Sequence, residues 1–214
     1  MPDPIIRVED LTDDYDPYLV DESREQAAKR ITKQIPLRYK DATADHPDIA
    51  QWVRDIVTHA VTEQRGVCVA VESGPSLTLL GPTGTGKTHL AYGAMNALAA
   101  SGVRLRWEMS TAADIYARLR PRHQVDSEAE FREIAGAPLL VIDDLGAAKD
   151  SEWTEEINYR LINHRYERVM PTLITSNVPV NELKTKLGER VNSRLREMTS
   201  RVVLEGQDRR GRAA

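Results

Sequence analysis

One cysteine, Cys68, stands alone in a chain of 214 residues. That excludes an intramolecular disulfide, and with no second cysteine at ligand spacing it argues against a structural zinc site. No apolar run approaches the ~18 residues needed to cross a bilayer, and the N-terminus lacks the basic-then-apolar pattern of a secretory signal. The expectation is a soluble cytoplasmic protein with no membrane partner. Internal repeats and low-complexity tracts are also missing. So is a basic excess: 29 Lys and Arg stand against 33 Asp and Glu, a net charge of -4. The molecule as a whole is therefore no cationic coat for nucleic acid, although a local basic surface remains open.

What charge there is lies unevenly. Residues 1–25 hold nine acids (Asp3, Glu9, Asp10, Asp13, Asp14, Asp16, Asp21, Glu22 and Glu25) against Arg7 and Arg24, whereas Arg190 to Arg212 holds seven arginines. The acidic arm reads as a segment without a packed core of its own, serving either to dock on a basic partner or as a solvated tail. The remaining length is enough for one substantial core.

Along the chain, Ile49, Trp52, Val53, Ile56, Val57 and Ala60 recur at helical spacing between Pro47 and Thr62. "SLTLLG" (76–81) is a short apolar strand, and Leu90, Ala91, Ala94 and Leu98 form one face of a helix that Gly102 ends. "VRLRW" (103–107) alternates apolar residues with Arg104 and Arg106, the pattern of an edge strand. A helix around Thr111–Leu119 follows, and then Ser127 with Glu130 reads as a capping box. "PLLVID" (138–143) and "TLITSN" (172–177) are unbroken apolar runs, as expected of strands covered on both faces, separated by a helix from about Trp153 to Arg168 that buries Ile157, Leu161 and Ile162. Two short helices between Asn181 and Glu197 and a last strand, "RVVLEG" (201–206), complete an α/β pattern of the doubly wound parallel kind.

The strongest local signal is "GPTGTGKT", residues 81–88, which fits G-x-x-x-x-G-K-[ST] between a strand and a helix. Gly81, Pro82, Thr83, Gly84, Thr85 and Gly86 form a loop whose N–H groups can turn inward, and the following helix N-terminus adds partial positive charge. Lys87 is expected to reach the β- and γ-phosphates of a nucleoside triphosphate and the Thr88 hydroxyl to coordinate Mg²⁺. "LLVIDDLG" then supplies Asp143 to hold the metal and Asp144 to position the attacking water. Asn177, closing "TLITSN", is either a turn former or a contact to the γ-phosphate or the water.

With these residues in hand the sequence resembles the AAA+ ATPases of the DnaC/DnaI helicase-loader and IstB transposition-helper group. The likeness rests on "IPLRYKDAT" (35–43), "GPTGTGKTHLA", "PLLVIDDLG", "INHRYERVMPTLITSN" and "LGERVNSRLRE", and runs from residue 35 to about 210. It implies an AAA+ P-loop core over 35–214 and a parallel sheet of order 5-1-4-3-2 flanked by helices, and leaves residues 1–34 as the acidic arm, where the chain departs from the family's N-terminal partner-binding region. It also implies ATP and ADP as ligands with Mg²⁺, slow hydrolysis stimulated by assembly, homo-oligomers when ATP is bound, single-stranded DNA, and a DnaB-type replicative helicase as partner. By position, Arg194 is the arginine entering a neighbour's site, with Arg190 as runner-up, and Arg210 resembles a second sensor. Nothing after "RVVLEG" is long enough for a helical lid. A transposition helper with a transposase as partner is the alternative reading. A small-molecule P-loop kinase is the third.

Overall fold

The computed structural model describes residues 4–63, 69–122, 126–147 and 151–206. Eight helices and five strands follow in order among them: α1 (Pro17–Gln34), α2 (Pro47–Glu63), β1 (Ser76–Leu80), α3 (Lys87–Ala100), β2 (Trp107–Thr111), α4 (Ala112–Leu119), α5 (Ser127–Ala135), β3 (Leu139–Asp143), α6 (Glu152–Glu167), β4 (Thr172–Ser176), α7 (Leu183–Leu187), α8 (Glu189–Met198) and β5 (Thr199–Val203). They fall into two compact units, residues 1–75 with 88–106 and residues 76–87 with 107–214. Cys68, His123 and Arg210 lie outside the described residues.

In the first unit the latter part of the acidic arm lies in helix α1. Asp16 caps α1, accepting from the Tyr18 and Leu19 N–H groups, and Pro17 opens the first turn, where its missing N–H costs nothing. Val20, Ser23, Ala27 and Ile31 bury one face at helical spacing. Arg24 ties α1 to the end of α3, donating to the Ala100 carbonyl (3.3 Å) and pairing with Glu9 at 2.6 Å. The Val8 N–H reaches the Ser101 carbonyl in the same region. The segment "RYKDAT" is held against α3 as well: Tyr39 stacks on Tyr92 at 4.6 Å, and the Asn96 amide donates to the Lys40 and Ala42 carbonyls. A Cβ on Gly93 would overlap the Thr43 carbonyl. All six apolar positions read for α2 are buried.

The second unit holds one sheet, all parallel, in the order β2-β3-β4-β1-β5, the expected 5-1-4-3-2 read from the other side. Every residue of β1, β3 and β4 is buried, which is why these strands read as continuous apolar runs. Leu80, Leu140, Ile142 and Ile174 share a core with Ile115 and Leu119 of α4, Phe131 and Ile134 of α5, Ile157, Leu161 and Ile162 of α6, and Leu195 of α8.

Three local expectations change, the first being the last strand, which is Thr199–Val203 rather than 201–206. The second strand is Trp107–Thr111 rather than 103–107. Val103 and Leu105 are buried as the alternation requires, but the backbone of Arg104 bonds with Val69 and Val71 (2.7 and 3.1 Å) in an isolated bridge. Periodicity reports burial, not which strand supplies the partner. The cap of α5 is Asp126, which accepts from Glu128 and Ala129, so Ser127 is already helical.

Candidate functional site

Parallel pairing aligns Leu80 with Ser176 and Ile142 with Ile174, so the chain leaves β1, β3 and β4 at one edge of the sheet. Ligands of open α/β sheets bind beyond the carboxyl ends of the strands. Gly81, the acid pair 143–144 and Asn177 all stand at that edge.

The loop after β1 needs its glycines. Gly81, Gly84 and Gly86 have φ of 148°, 86° and 97°, a region costly for residues with a Cβ. A Cβ on Gly81 would also overlap the Leu204 carbonyl, whose own residue donates its N–H to Leu80 O at 2.7 Å. Lys87 is 5% exposed and curls back into the loop, its Nζ donating to the Gly81 and Pro82 carbonyls at 2.7 and 2.8 Å. The Thr85 hydroxyl donates to Pro82 O at 2.9 Å. Pro82 and Thr83 form the exposed tip, and Thr88 follows Lys87 as the second residue of α3.

The acids at the end of β3 are held from β4. Asp143 is buried and its Oδ1 accepts from the Thr175 hydroxyl at 2.6 Å. Asp144 is exposed and adopts φ 55°, a left-handed conformation uncommon outside glycine, with its N–H donated to Thr175 Oγ1 at 3.0 Å. Leu145 N–H bonds to the Thr175 carbonyl and the Ser176 hydroxyl to the Leu145 carbonyl, at 2.9 and 2.6 Å. The "TSN" motif carries this signal in sequence, but the pairing of β3 with β4 is needed to see that Thr175 serves both acids. Asn177 follows, exposed, at the same edge.

The candidate arginines lie on α8, each over a tyrosine of α6. Arg190 is exposed and stacks on Tyr159, its guanidinium carbon 3.6 Å from the ring centre. Arg194 is half-buried over Tyr166 at 4.3 Å, donates to Asn163 Oδ1 at 3.3 Å and lies 3.9 Å from Glu197. Arg118, on α4, is engaged by Glu108 and Glu130 at 2.6 and 3.0 Å. Burial pulls its guanidinium down, yet those two carboxylates leave it above its ordinary value. Arg120 rests near Trp153 and Arg122 is exposed.

Among the described residues no cluster of three His, Cys, Asp or Glu side chains could hold a metal by itself. Magnesium bound with a nucleotide takes one or two protein oxygens and leaves the rest to phosphate and water. The buried Asp143 carboxylate is a hard oxygen donor of the right class, and the glycine loop with its inward lysine is a cradle for anionic oxygens. The residues fit both groups.

The model of the IstB-like ATP-binding proteins matches residues 17–202. The chain belongs to that family. This IstB-like AAA+ protein is 32% identical to the replicative helicase loader DnaC of Escherichia coli over 124 residues, 56% of its own length and 50% of that relative's. It is 32% identical over 110 residues, 51% of its length and 36% of the other's, to a Sinorhizobium fredii protein assigned as an insertion-sequence ATP-binding protein. The chain thus spans about half the length, or less, of these curated relatives. Its fold matches the crystal structure of the DnaC helicase loader with a TM-score of 0.63 at 28% identity, covering 79% of this chain and 100% of that one. DnaI matches at 0.65 and 19% identity, over 85% and 100%.

Proposed function

We propose that this IstB-like protein is an ATPase switch that helps load a DnaB-type replicative helicase onto single-stranded DNA. The observation that carries the reading is the grouping of the glycine loop with Lys87, the acid pair 143–144 and Asn177 at one edge of the sheet. In this reading the loop amides and Lys87 bind the β- and γ-phosphates, and Thr88 and Asp143 provide protein oxygens for Mg²⁺. Held there, Mg²⁺ would supply neutralisation of phosphate charge. Asp144 orients the attacking water and Asn177 contacts it or the γ-phosphate. Arg194, or Arg190 in its place, meets the nucleotide of a neighbouring copy, so hydrolysis rises on assembly.

The helicase partner rests on the DnaC relatives; no described helix is long and apolar enough to cross a membrane. A second reading, a transposition helper with the same enzyme core and a transposase as partner, is favoured by the insertion-sequence relative. Co-purification of the protein with a DnaB-type helicase and, separately, with a transposase, each with and without ATP, decides between them. ATP-dependent capture of the helicase supports the first reading; capture of the transposase alone overturns it. Arg194→Ala is expected to keep nucleotide binding and lose the assembly-stimulated part of hydrolysis. Unchanged turnover in the assembled state would reject that assignment. Phosphate release with no acceptor added separates both readings from a small-molecule kinase.

A further inference from the structure

Thr175 is fully buried on β4, a strand interior where a hydroxyl must be satisfied within the protein. Its oxygen accepts the Asp144 N–H at 3.0 Å, so its single proton is the one directed at Asp143 Oδ1, 2.6 Å away. The residue's carbonyl accepts the Leu145 N–H at 2.9 Å. One residue of β4 therefore grips three consecutive residues leaving β3. Two consequences follow for the acids. The Asp143 carboxylate is fixed by a donor on one of its oxygens, and Asp144 is held at φ 55°, a conformation that disfavours most side chains.

We propose that Thr175 is a positioning residue that sets Asp143 for the metal and Asp144 for the water through a single hydroxyl. The proposal rests on the ATPase reading above and goes beyond it in naming the group that couples the two acids. A hydrophobic packing role would be filled equally well by valine, which matches threonine in shape and lacks only the hydroxyl. A positioning role would not. Groups that orient a metal ligand from behind commonly change metal affinity or activity by about 10–100-fold when removed.

The test titrates Mg²⁺ against the full chain carrying a fluorescent ATP analogue, in the wild type, Thr175→Val, Thr175→Ser and Lys87→Ala, with steady-state turnover measured alongside. Thr175→Val is expected to bind the analogue in EDTA as the wild type does, to need about 10-fold or more Mg²⁺ for half-saturation, and to lose about 10–100-fold in kcat. Thr175→Ser, which restores the hydroxyl, is expected to return Mg²⁺ half-saturation to within about 3-fold of wild type, on the same footing. A Thr175→Val curve that superimposes on a Mg²⁺-responsive wild type overturns the proposal while leaving the ATPase reading intact. So does a Thr175→Ser variant as impaired as Thr175→Val. Wild type and Lys87→Ala binding the analogue equally, with no response to Mg²⁺, would remove the ATPase reading and this proposal together.

Discussion

Arg165 offers the largest energetic effect that the structure makes calculable. It belongs to "INHRYERVMPTLITSN", sits on α6 with no exposed surface, and has no carboxylate among its bonded partners. Its guanidinium donates to Thr172 Oγ1 (2.7 Å) and to the carbonyls of Ala135 (2.9 Å), Ala137 (2.7 Å) and Pro171 (2.6 Å). It thereby joins the end of α5, the entry to β3 and the start of β4. Burial pushes it down to about 9. Arg165→Met fills much of the volume and removes every donor. Pro171 O keeps the Leu140 N–H at 3.3 Å, and the Thr172 hydroxyl keeps the Met170 carbonyl at 3.0 Å. Ala135 and Ala137 lose a donor each, at about 1–3 kcal/mol per stranded buried group. Relief from burying a charge offsets part of that. The net expectation is a loss of about 2–4 kcal/mol, or roughly 5–15 °C in Tm for a chain of this size. Urea unfolding followed by circular dichroism measures it. A loss below about 1 kcal/mol would refute the reasoning, because it would mean the carbonyls do not depend on Arg165 for a partner.

Three smaller effects follow. Val169 is a β-branched residue at φ 51°, 61% exposed after the last turn of α6. Relief of about 1–2 kcal/mol of left-handed strain exceeds the ~0.5–1 kcal/mol entropic cost of glycine, so Val169→Gly should raise stability by about 0.5–1 kcal/mol in urea melts; a loss would count against it. Gly93→Ala should cost about 1–3 kcal/mol by forcing the 37–45 segment off α3, visible as a lower Tm, and an unchanged Tm would contradict the close approach at Thr43. Burial, with Arg168 and Arg165 nearby, holds the His164 imidazole below its ordinary value. The folded state thus binds that proton less readily than the unfolded chain. Its contribution is complete above the ordinary histidine range and is lost as pH falls through that range toward the lowered value. His164→Gln should flatten the decline of stability between about pH 7 and 5, and identical slopes for both proteins would exclude the effect.

The loop, the acid pair and the interior strands were legible in the sequence because each is a local pattern: glycines and a lysine at fixed spacing, or an apolar run ending in acids. What was not legible depends on partners distant in the chain. The proton of Thr175 goes to a residue 32 positions away, and Arg165 meets carbonyls 28 and 30 positions before it. The displaced second strand has the same cause, since Arg104 finds its bridge at Ala70. In α1 the buried stripe uses Ser23 and Ala27 in a helix that carries charge of both signs, so its periodicity is faint and the acid count of the arm dominates the reading. Strand order came from family resemblance, and the pairing agrees with it.

Isothermal calorimetry with ATP and Mg²⁺ addresses the central claim most directly, comparing the wild-type chain with Lys87→Ala. Saturable single-site heat in the wild type, abolished in the variant, is the predicted result. No heat in the wild type, or equal binding by both proteins, would contradict a nucleotide site built on the 81–88 loop.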